Sequence, residues 1–295
     1  MEPFELENAE FGEPLTEVEA SQRRAAATSR LCNLPLFSRG AIRLLTIASD
    51  DDGAVAEFEE VFRSDPGLAA ELLLFANSAQ FGFQARISSI GHALSVLGLE
   101  RARSLASRIA MSFYLRASSR KEVQVVWSHS IATAVLAEHI AAAKGCSKPM
   151  LFTAALLHDL GSLGLLLTSQ SSYPELIALK LVDVRESARI ETVLWGLNHA
   201  EAGGILADTW GFPSSLRRCM SEHHGHVNAS EDPLLHVVQL ACLLASSLGF
   251  PEVFASAGAH TQGPTAVLPP ELVDRPEFGL ARLHELIAAQ IAPSN

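Results

Sequence analysis

Apolar residues recur every three or four positions from about Cys32 to about Gly249. This spacing places them on one side of an α-helix, whereas the alternation typical of strands is rare in the same region, as are hairpin dipeptides. The pattern therefore predicts an all-α fold for the body of the chain.

Helix boundaries are clearest at Asp65-Pro66, where a side chain that caps a helix precedes a proline suited to the first turn. Ser88 or Ser89 offers a second cap, and Gly98 ends the helix that follows. The apolar pattern predicts helices over Pro66–Asn77, residues 89–97, Leu99–Leu115, Glu122–Ala143, Met150–Leu167, Tyr173–Lys180, Glu186–Trp195, His199–Trp210, Ser214–Glu222, Leu234–Leu248 and a last segment from Leu280 to Ile287.

Composition narrows the class of protein. The chain has 295 residues, 48% of them apolar, which is enough for a sizeable core. Residues 1–20 are acidic, unlike a signal peptide, and we find no apolar run of the roughly 18 to 20 residues that a membrane span needs. The cysteines form no CxxC pair, which argues against a zinc ribbon or a disulfide framework; they are Cys32, Cys146, Cys219 and Cys242. We expect a cytoplasmic protein without a membrane segment.

The charge bears on the class of partner. A net charge of −11 disfavours broad contact with nucleic acid, because phosphates are neutralised by lysines and arginines. Between Arg101 and Lys121, however, the chain carries a basic stretch that includes Arg103 and Arg108. The stretch is either a solvated helix face, the usual behaviour of charge runs, or a surface on which Arg101, Arg103 and Arg108 bind an anionic partner.

Short segments in two halves of the chain match a known pattern. The first half contains Asp65-Pro66-Gly67-Leu68-Ala69, Ala76-Asn77-Ser78, Ile87-Ser88-Ser89 and Ala93-Leu94-Ser95-Val96-Leu97-Gly98. The second half contains Trp127-Ser128-His129-Ser130, Leu156-Leu157-His158-Asp159-Leu160-Gly161, Asn198-His199-Ala200-Glu201-Ala202-Gly203, Trp210-Gly211-Phe212-Pro213 and His223-His224. In this order the segments resemble the HDOD family, the HD-related output domains of bacterial signalling.

The resemblance implies a division of the chain. Residues 1–30 are expected to form a flexible leader, with or without a short helix, and residues 31–250 the HDOD domain. Within that domain, a helical N-terminal lobe over 31–120 precedes a five-helix HD-type core over 121–250. Residues 251–295 form a C-terminal extension that is irregular to about Pro270 and ends in a helix.

The HD-type core carries residues that the resemblance associates with a metal. His129, His158 and Asp159 are similar in type and order to the first three metal ligands of HD phosphohydrolases, whose fourth ligand is an aspartate from a later helix. Cys242 stands where that aspartate is expected. A thiol is a soft ligand with a free pKa near 8.5, poorly matched to Mg²⁺ or Mn²⁺. The substitution therefore predicts a weakened or vestigial metal site.

The related HD-GYP phosphodiesterases extend the resemblance. His199, His223 and His224 match positions that hold a second metal in them. Ser162 replaces the lysine expected after the His158-Asp159 motif, and the GYP segment is absent. We therefore take His199 and His223 as weaker candidate ligands and assign no role to His224.

Each candidate also has a purely structural interpretation. A histidine on an inner helix face often only hydrogen-bonds a backbone carbonyl, and a buried pair of His158 and Asp159 would organise the core. The other histidines have no support beyond their residue type; they are His92, His139, His226, His236, His260 and His284.

Two functions follow from the resemblance. Cys242 favours a non-catalytic signalling or regulatory module without a cofactor, which binds a signalling protein, or alternatively a nucleotide such as a cyclic dinucleotide, through a degenerate HD-type site. The alternative is a metal-dependent phosphohydrolase that acts on cyclic dinucleotides or nucleotides with Mn, Fe or Mg as the divalent ion.

Overall fold

The structure is a computed structural model, and it describes residues 16–35, 39–48, 53–78, 87–116, 121–144, 150–168, 184–225, 231–253 and 263–291. The elements within these residues are all helical, as the apolar spacing predicts. In chain order they are α1 Glu17–Cys32, α2 Arg39–Thr46, α3 Ala54–Ser64, α4 Pro66–Ala76, α5 Ile90–Leu97, α6 Leu99–Arg116, α7 Lys121–Ala143, α8 Leu151–Leu157, α9 Leu160–Thr168, α10 Val184–Trp195, α11 His199–Trp210, α12 Ser214–Glu222, α13 Pro233–Ser247, α14 Pro264–Val267, α15 Pro270–Val273, a 3₁₀ turn at Pro276–Phe278, and α16 Leu280–Ile291.

The helices α2 to α6 form the N-terminal lobe, and local signals fix where they begin and end. The Asp65 carboxylate caps α4 by accepting from the backbone N–H groups of Gly67 and Leu68, with Pro66 in the first turn. After α4, the Asn77 side chain exchanges two hydrogen bonds with the backbone of Ile87, at 2.7 and 2.8 Å. This pair of bonds ties the end of α4 to the start of α5.

Helix α7 runs through the second half of the molecule. It packs against α13, α8, α9 and α16, and it buries residues on most of its circumference. Helix α11 packs on α9 and α12, with its N-terminus closed by a capping box between Asn198 and Glu201. The side chains that face the interior between these helices form the site described below.

The leader differs from the expectation. Residues 17–30 do not form a flexible segment, because they lie in α1, which packs against α9, α10 and α11. Ala27 and Leu31 are buried there. The sequence of this helix gave no clear apolar pattern, because only two of its positions, Ala27 and Leu31, are buried.

The segment Met150–Leu167 also differs, because it is two helices rather than one. A turn at His158 and Asp159 separates α8 from α9. The His158 ring donates from Nδ1 to the Ala155 carbonyl at 2.6 Å, a local side-chain bond that competes with helical hydrogen bonding. The helix predicted over Tyr173–Lys180 lies outside the described residues.

The same segment bears on the membrane expectation. Among the described residues, Leu151–Thr168 is long and apolar enough to cross a membrane by length and composition, so the expectation that no stretch reaches that length is wrong. His158 and Asp159 interrupt the apolar run without ending it. The stretch is 89% buried inside the molecule, where α8 and α9 pack against the other helices.

Among the described residues of the basic stretch, Arg103 and Arg108 do not lie on an open surface as an anionic partner would require. Arg103 is buried and donates to the carbonyls of Leu44 and Ile47 and to Glu100. Arg108 is partly buried and donates to the side chain and carbonyl of Gln290 on α16. The Arg103 side chain is covered because α2 packs against α6, and the Arg108 side chain is engaged by α16. Arg101 is the exposed member of the three.

Candidate metal centre

The structure brings the six candidate ligands into one buried cluster. His129 lies on α7, His158 and Asp159 lie in the turn between α8 and α9, and the others lie on α11, after α12 and on α13; these are His199, His223 and Cys242. All six side chains are nearly inaccessible to solvent. The ring centroids of neighbouring histidines are 4.0 to 5.3 Å apart through the cluster.

Two groups of donor atoms stand out within the cluster. The first group consists of His129, His158 and Cys242, whose ligand atoms lie within 4.8 Å of one another. The Nε2 atoms of its two histidines are 3.2 Å apart, and the Cys242 Sγ is 3.5 Å from the Nε2 of His129. This arrangement points two nitrogens and one sulfur toward a common position.

The second group consists of His199, His223 and His224, with ligand atoms that also lie within 4.8 Å of one another. The Nε2 atoms of His199 and His224 are 2.9 Å apart. His224 therefore belongs to the cluster, which corrects its assignment as a residue without a role. It follows His223 directly after α12, where the helix has ended and both rings can turn toward the same side.

Outer hydrogen bonds hold four of the rings in one orientation. His129 donates from Nδ1 to the Phe250 carbonyl at 2.7 Å, and His223 donates from Nδ1 to the Met220 carbonyl at 3.1 Å. The Nδ1 of His158 donates to the Ala155 carbonyl in the same way. His199 directs Nδ1 at the Glu191 carboxylate at 2.7 Å. Because a carbonyl only accepts, the proton of each neutral ring stays on Nδ1 and leaves the Nε2 lone pair facing the cluster. Ligating histidines in metal proteins are oriented in this way.

Asp159 is positioned by its own helix and by a glycine. Its Oδ1 accepts from the Ser162 hydroxyl at 2.5 Å, so the residue that replaces the expected lysine fixes the aspartate instead. Gly161 lets the α9 backbone approach α11: a Cβ at this position would lie 1.9 Å from the His199 carbonyl oxygen. The close approach brings Asp159 beside the start of α11.

Two glutamates of the site were not identified from the sequence. Glu191 on α10 is buried and accepts from both the ring and the backbone N–H of His199. Glu252, in the segment after α13, is buried with one oxygen 3.4 Å from Cys242 Sγ and the other 3.4 Å from His224 Nε2. Neither lies in a motif, and no periodic pattern marks them, so only the packing of their segments reveals them.

Burial and charge divide the histidines into neutral and protonated rings. Burial lowers the pKa of His158 to about 3, and the charge of His129 acts in the same direction. Burial also holds the pKa of His223 well below its usual value, and the charge of His224 adds to this effect. Burial acts in the same direction on His199, but the Glu191 carboxylate outweighs it and raises the pKa of that ring to about 10.

The acidic groups of the cluster are shifted as well. Burial raises the pKa of Asp159, against the opposing effect of His199. Burial raises the pKa of the Cys242 thiol well above its usual value, and the nearby Glu252 adds to the effect. Burial acts likewise on Glu252, but His224 outweighs it and keeps the pKa of that carboxyl well below its usual value. Without a bound cation, the thiol therefore stays protonated and Glu252 stays ionised.

The donor set fits a divalent cation. The buried Nε2 of His223 and Oδ2 of Asp159 have no hydrogen-bond partner among the described residues, although buried polar atoms are normally paired. The neutral His158 directs a lone pair at the Nε2 of His129, an arrangement that either a proton or a cation between the rings would satisfy. Imidazole and thiol donors suit zinc, iron and similar transition metals better than Mg²⁺.

Comparison with known sequences identifies the family. The family description "HDOD domain" matches residues 34–226, about two thirds of the chain. This chain belongs to the HDOD family. The resemblance seen in the separated motifs is thereby confirmed, and the HDOD match includes the cluster residues from His129 to His224 but ends before Cys242 and Glu252.

Solved structures share the HDOD architecture at low sequence identity. An HDOD domain protein of unknown function from Geobacter sulfurreducens is 22% identical, with a TM-score of 0.66, covering 92% of this chain and 94% of that one. A candidate phosphohydrolase from Shewanella amazonensis is 22% identical, with a TM-score of 0.60 and coverage of 90% and 94%. A candidate signal transduction protein from Marinobacter aquaeolei is 21% identical, with a TM-score of 0.66 and coverage of 95% and 66%. These likenesses establish the all-α HDOD fold.

A curated relative is known from Treponema pallidum, an uncharacterized protein that is 24% identical over 234 residues. The match covers 76% of this chain but 44% of the relative. The chain therefore spans less than half the length of that protein. The family match and the shared fold agree with each other.

Proposed function

We propose that this chain is a non-catalytic signalling module of the HDOD family, which holds a divalent transition metal in its histidine cluster and transmits a signal by binding a partner protein. The proposal departs from the sequence-based expectation of an empty, degenerate site. Cys242 alone motivated that expectation, and the orientation of the other donors now supports metal binding.

The burial of the donors carries the non-catalytic part of the proposal. A hydrolytic metal site keeps a coordination position open to substrate and water. Here the candidate ligands are covered by the surrounding helices, and His224 is the most accessible member with 23% of its side chain exposed. Among the described residues the donors are nearly inaccessible to solvent, which favours a metal that organises the core over one that meets a substrate.

The partner and the compartment follow from the class of protein. Signalling domains of this type act through other proteins, and a nucleotide such as a cyclic dinucleotide is the alternative ligand. The described cysteines Cys32, Cys219 and Cys242 are free thiols, which suits a reducing cytoplasm. Cytoplasmic localisation is part of the proposal.

The second candidate function is a metal-dependent phosphohydrolase. The convergence of nitrogen, sulfur and carboxylate donors favours it, as do the two structures from Shewanella amazonensis that are described as candidate phosphohydrolases, one of them metal-dependent. A divalent ion bound here would supply Lewis-acid activation of a phosphoryl group. Asp159, with one oxygen unpaired, would be one of its ligands.

One experiment separates the two functions. The protein is purified without chelators, its metal content is measured, and hydrolysis of cyclic dinucleotides and of a generic phosphodiester is followed with added Mn²⁺. We expect a stoichiometric metal, no turnover above the blank, and loss of the metal in Asp159→Ala. Turnover that Asp159→Ala abolishes would establish the phosphohydrolase instead.

A further inference from the structure

Glu252 occupies the space between the two groups of donor atoms. It lies ten residues after Cys242 in the chain, beyond the end of α13. Its Oε1 is 3.4 Å from the Cys242 Sγ in the first group, and its Oε2 is 3.4 Å from the His224 Nε2 in the second. One carboxylate thus reaches a member of each group.

The charge of this carboxylate needs a partner. A buried carboxylate is costly unless it is paired or bound to a metal, and Glu252 is 6% exposed. Within the described residues its ion-pair partner is the His224 ring, itself a candidate ligand. The first group has no carboxylate of its own on α13, because Cys242 stands at that position.

The segment that leads to Glu252 is held in place by two contacts of Phe250. The Phe250 carbonyl accepts the Nδ1 proton of His129, and the Phe250 ring packs at a tilt against the ring of His284 on α16, with the ring centroids 5.5 Å apart. This anchoring fixes the backbone on which Glu252 sits. The Glu252 carboxylate therefore lies in the cluster because of how this segment packs, and its position does not require a bound metal.

We propose that Glu252 supplies the carboxylate that Cys242 does not, and that it bridges two divalent transition-metal positions, one in each group. The inference rests on the proposed metal binding of the cluster. A carboxylate can connect the two ions of a two-metal site, which lie about 3.5–4 Å apart, because each of its oxygens can bind one ion. In this proposal, the carboxylate ligand expected on α13 is supplied by Glu252 in the segment that follows α13.

Cobalt(II) is a suitable probe because its absorption reports the ligands. Chelator-treated protein is titrated with Co²⁺, the retained cobalt per chain is measured by elemental analysis, and the charge-transfer absorption of a cobalt–thiolate bond is followed for Cys242. The variants are Glu252→Gln, Cys242→Asp and the double variant, with the exposed Glu57→Gln as the matched control for loss of one charge.

We expect wild type and Glu57→Gln to retain two cobalt ions per chain, and Glu252→Gln to bind cobalt at least about tenfold more weakly, as the loss of a ligand or its support requires. In the double variant, Cys242→Asp should restore binding, because the carboxylate returns to α13. The thiolate absorption should disappear in both variants that lack Cys242.

Other outcomes overturn the inference at distinct points. Wild type that retains no cobalt refutes metal binding itself, and with it the proposed function. Wild type that binds two ions while Glu252→Gln binds them equally well refutes the role of Glu252 alone. If Glu252→Gln does not fold by circular dichroism, Glu252→Asp replaces it: the shorter side chain should weaken binding in the same direction, and unchanged binding refutes the bridge.

Discussion

At the scale of single residues, Arg103 shows how a charged side chain becomes structural. Its guanidinium is 1% exposed, donates to two carbonyls at the end of α2, pairs with Glu100, and lies 5.2 Å from the centre of the Phe58 ring. Buried polar groups of this kind are satisfied only by their exact set of partners. The basic stretch of the sequence therefore contributes to the core of the N-terminal lobe.

Replacing Arg103 tests that role. Arg103→Met keeps the length of the side chain but leaves the Leu44 and Ile47 carbonyls without their donor. We expect the free energy of unfolding to fall by about 3 kcal/mol, the usual cost of breaking a buried polar set. Urea unfolding measures it. Arg63→Met, which removes an exposed helical ion pair, is the control and should cost less than about 1 kcal/mol; equal losses would contradict a special role for Arg103.

At the scale of elements, the site depends on how closely α9 approaches α11. Gly161 and Gly203 face each other across this contact, and a Cβ on Gly161 would fall 2.5 Å from the Gly203 nitrogen. No side chain at this position can be accommodated without moving a backbone. Gly161 thus sets the distance between Asp159 and the second group of histidines.

Gly161→Ala should therefore separate the two helices. We expect it to lower stability by about 3 kcal/mol, because a methyl group has to displace backbone atoms, and to reduce the metal retained by the folded protein. Thermal unfolding and elemental analysis measure the two effects. Gly263→Ala is the control, since nothing lies within 4 Å of its added Cβ and it should leave both quantities unchanged. Normal metal content in Gly161→Ala would show that the approach is not needed.

At the scale of the whole molecule, the cluster links the stability of the metal-free fold to pH. The pKa of His158 falls from 6.5 to about 3 on folding. Its contribution to the free energy of unfolding is therefore complete above pH 6.5 and is lost as the pH drops toward 3. The pKa of His199 rises from 6.5 to about 10 on folding. Its contribution to the free energy of unfolding is therefore complete below pH 6.5 and is lost as the pH rises toward 10.

Chelator-treated protein should consequently be most stable near pH 6.5. The urea midpoint, measured from pH 5 to pH 9, is expected to fall on both sides of that value. In His199→Gln the alkaline decline should become shallower while the acidic decline remains, because the two arms arise from different rings. A midpoint that rises steadily across the range would contradict the assignment of His199 as the protonated ring.

The all-α class, most helix boundaries and the family could be predicted from the amino-acid sequence, because helical spacing, caps such as Asp65 and motifs such as His158-Asp159 are local features of the chain. The sequence also named six of the residues that meet in the cluster. Three further features are visible in the folded chain and not in its sequence: His224, Glu191 and Glu252 join the cluster, α1 packs on the body, and the Arg103 side chain is buried. These outcomes depend on which segments pack together across long stretches of chain, and no periodicity within one segment encodes its distant neighbours.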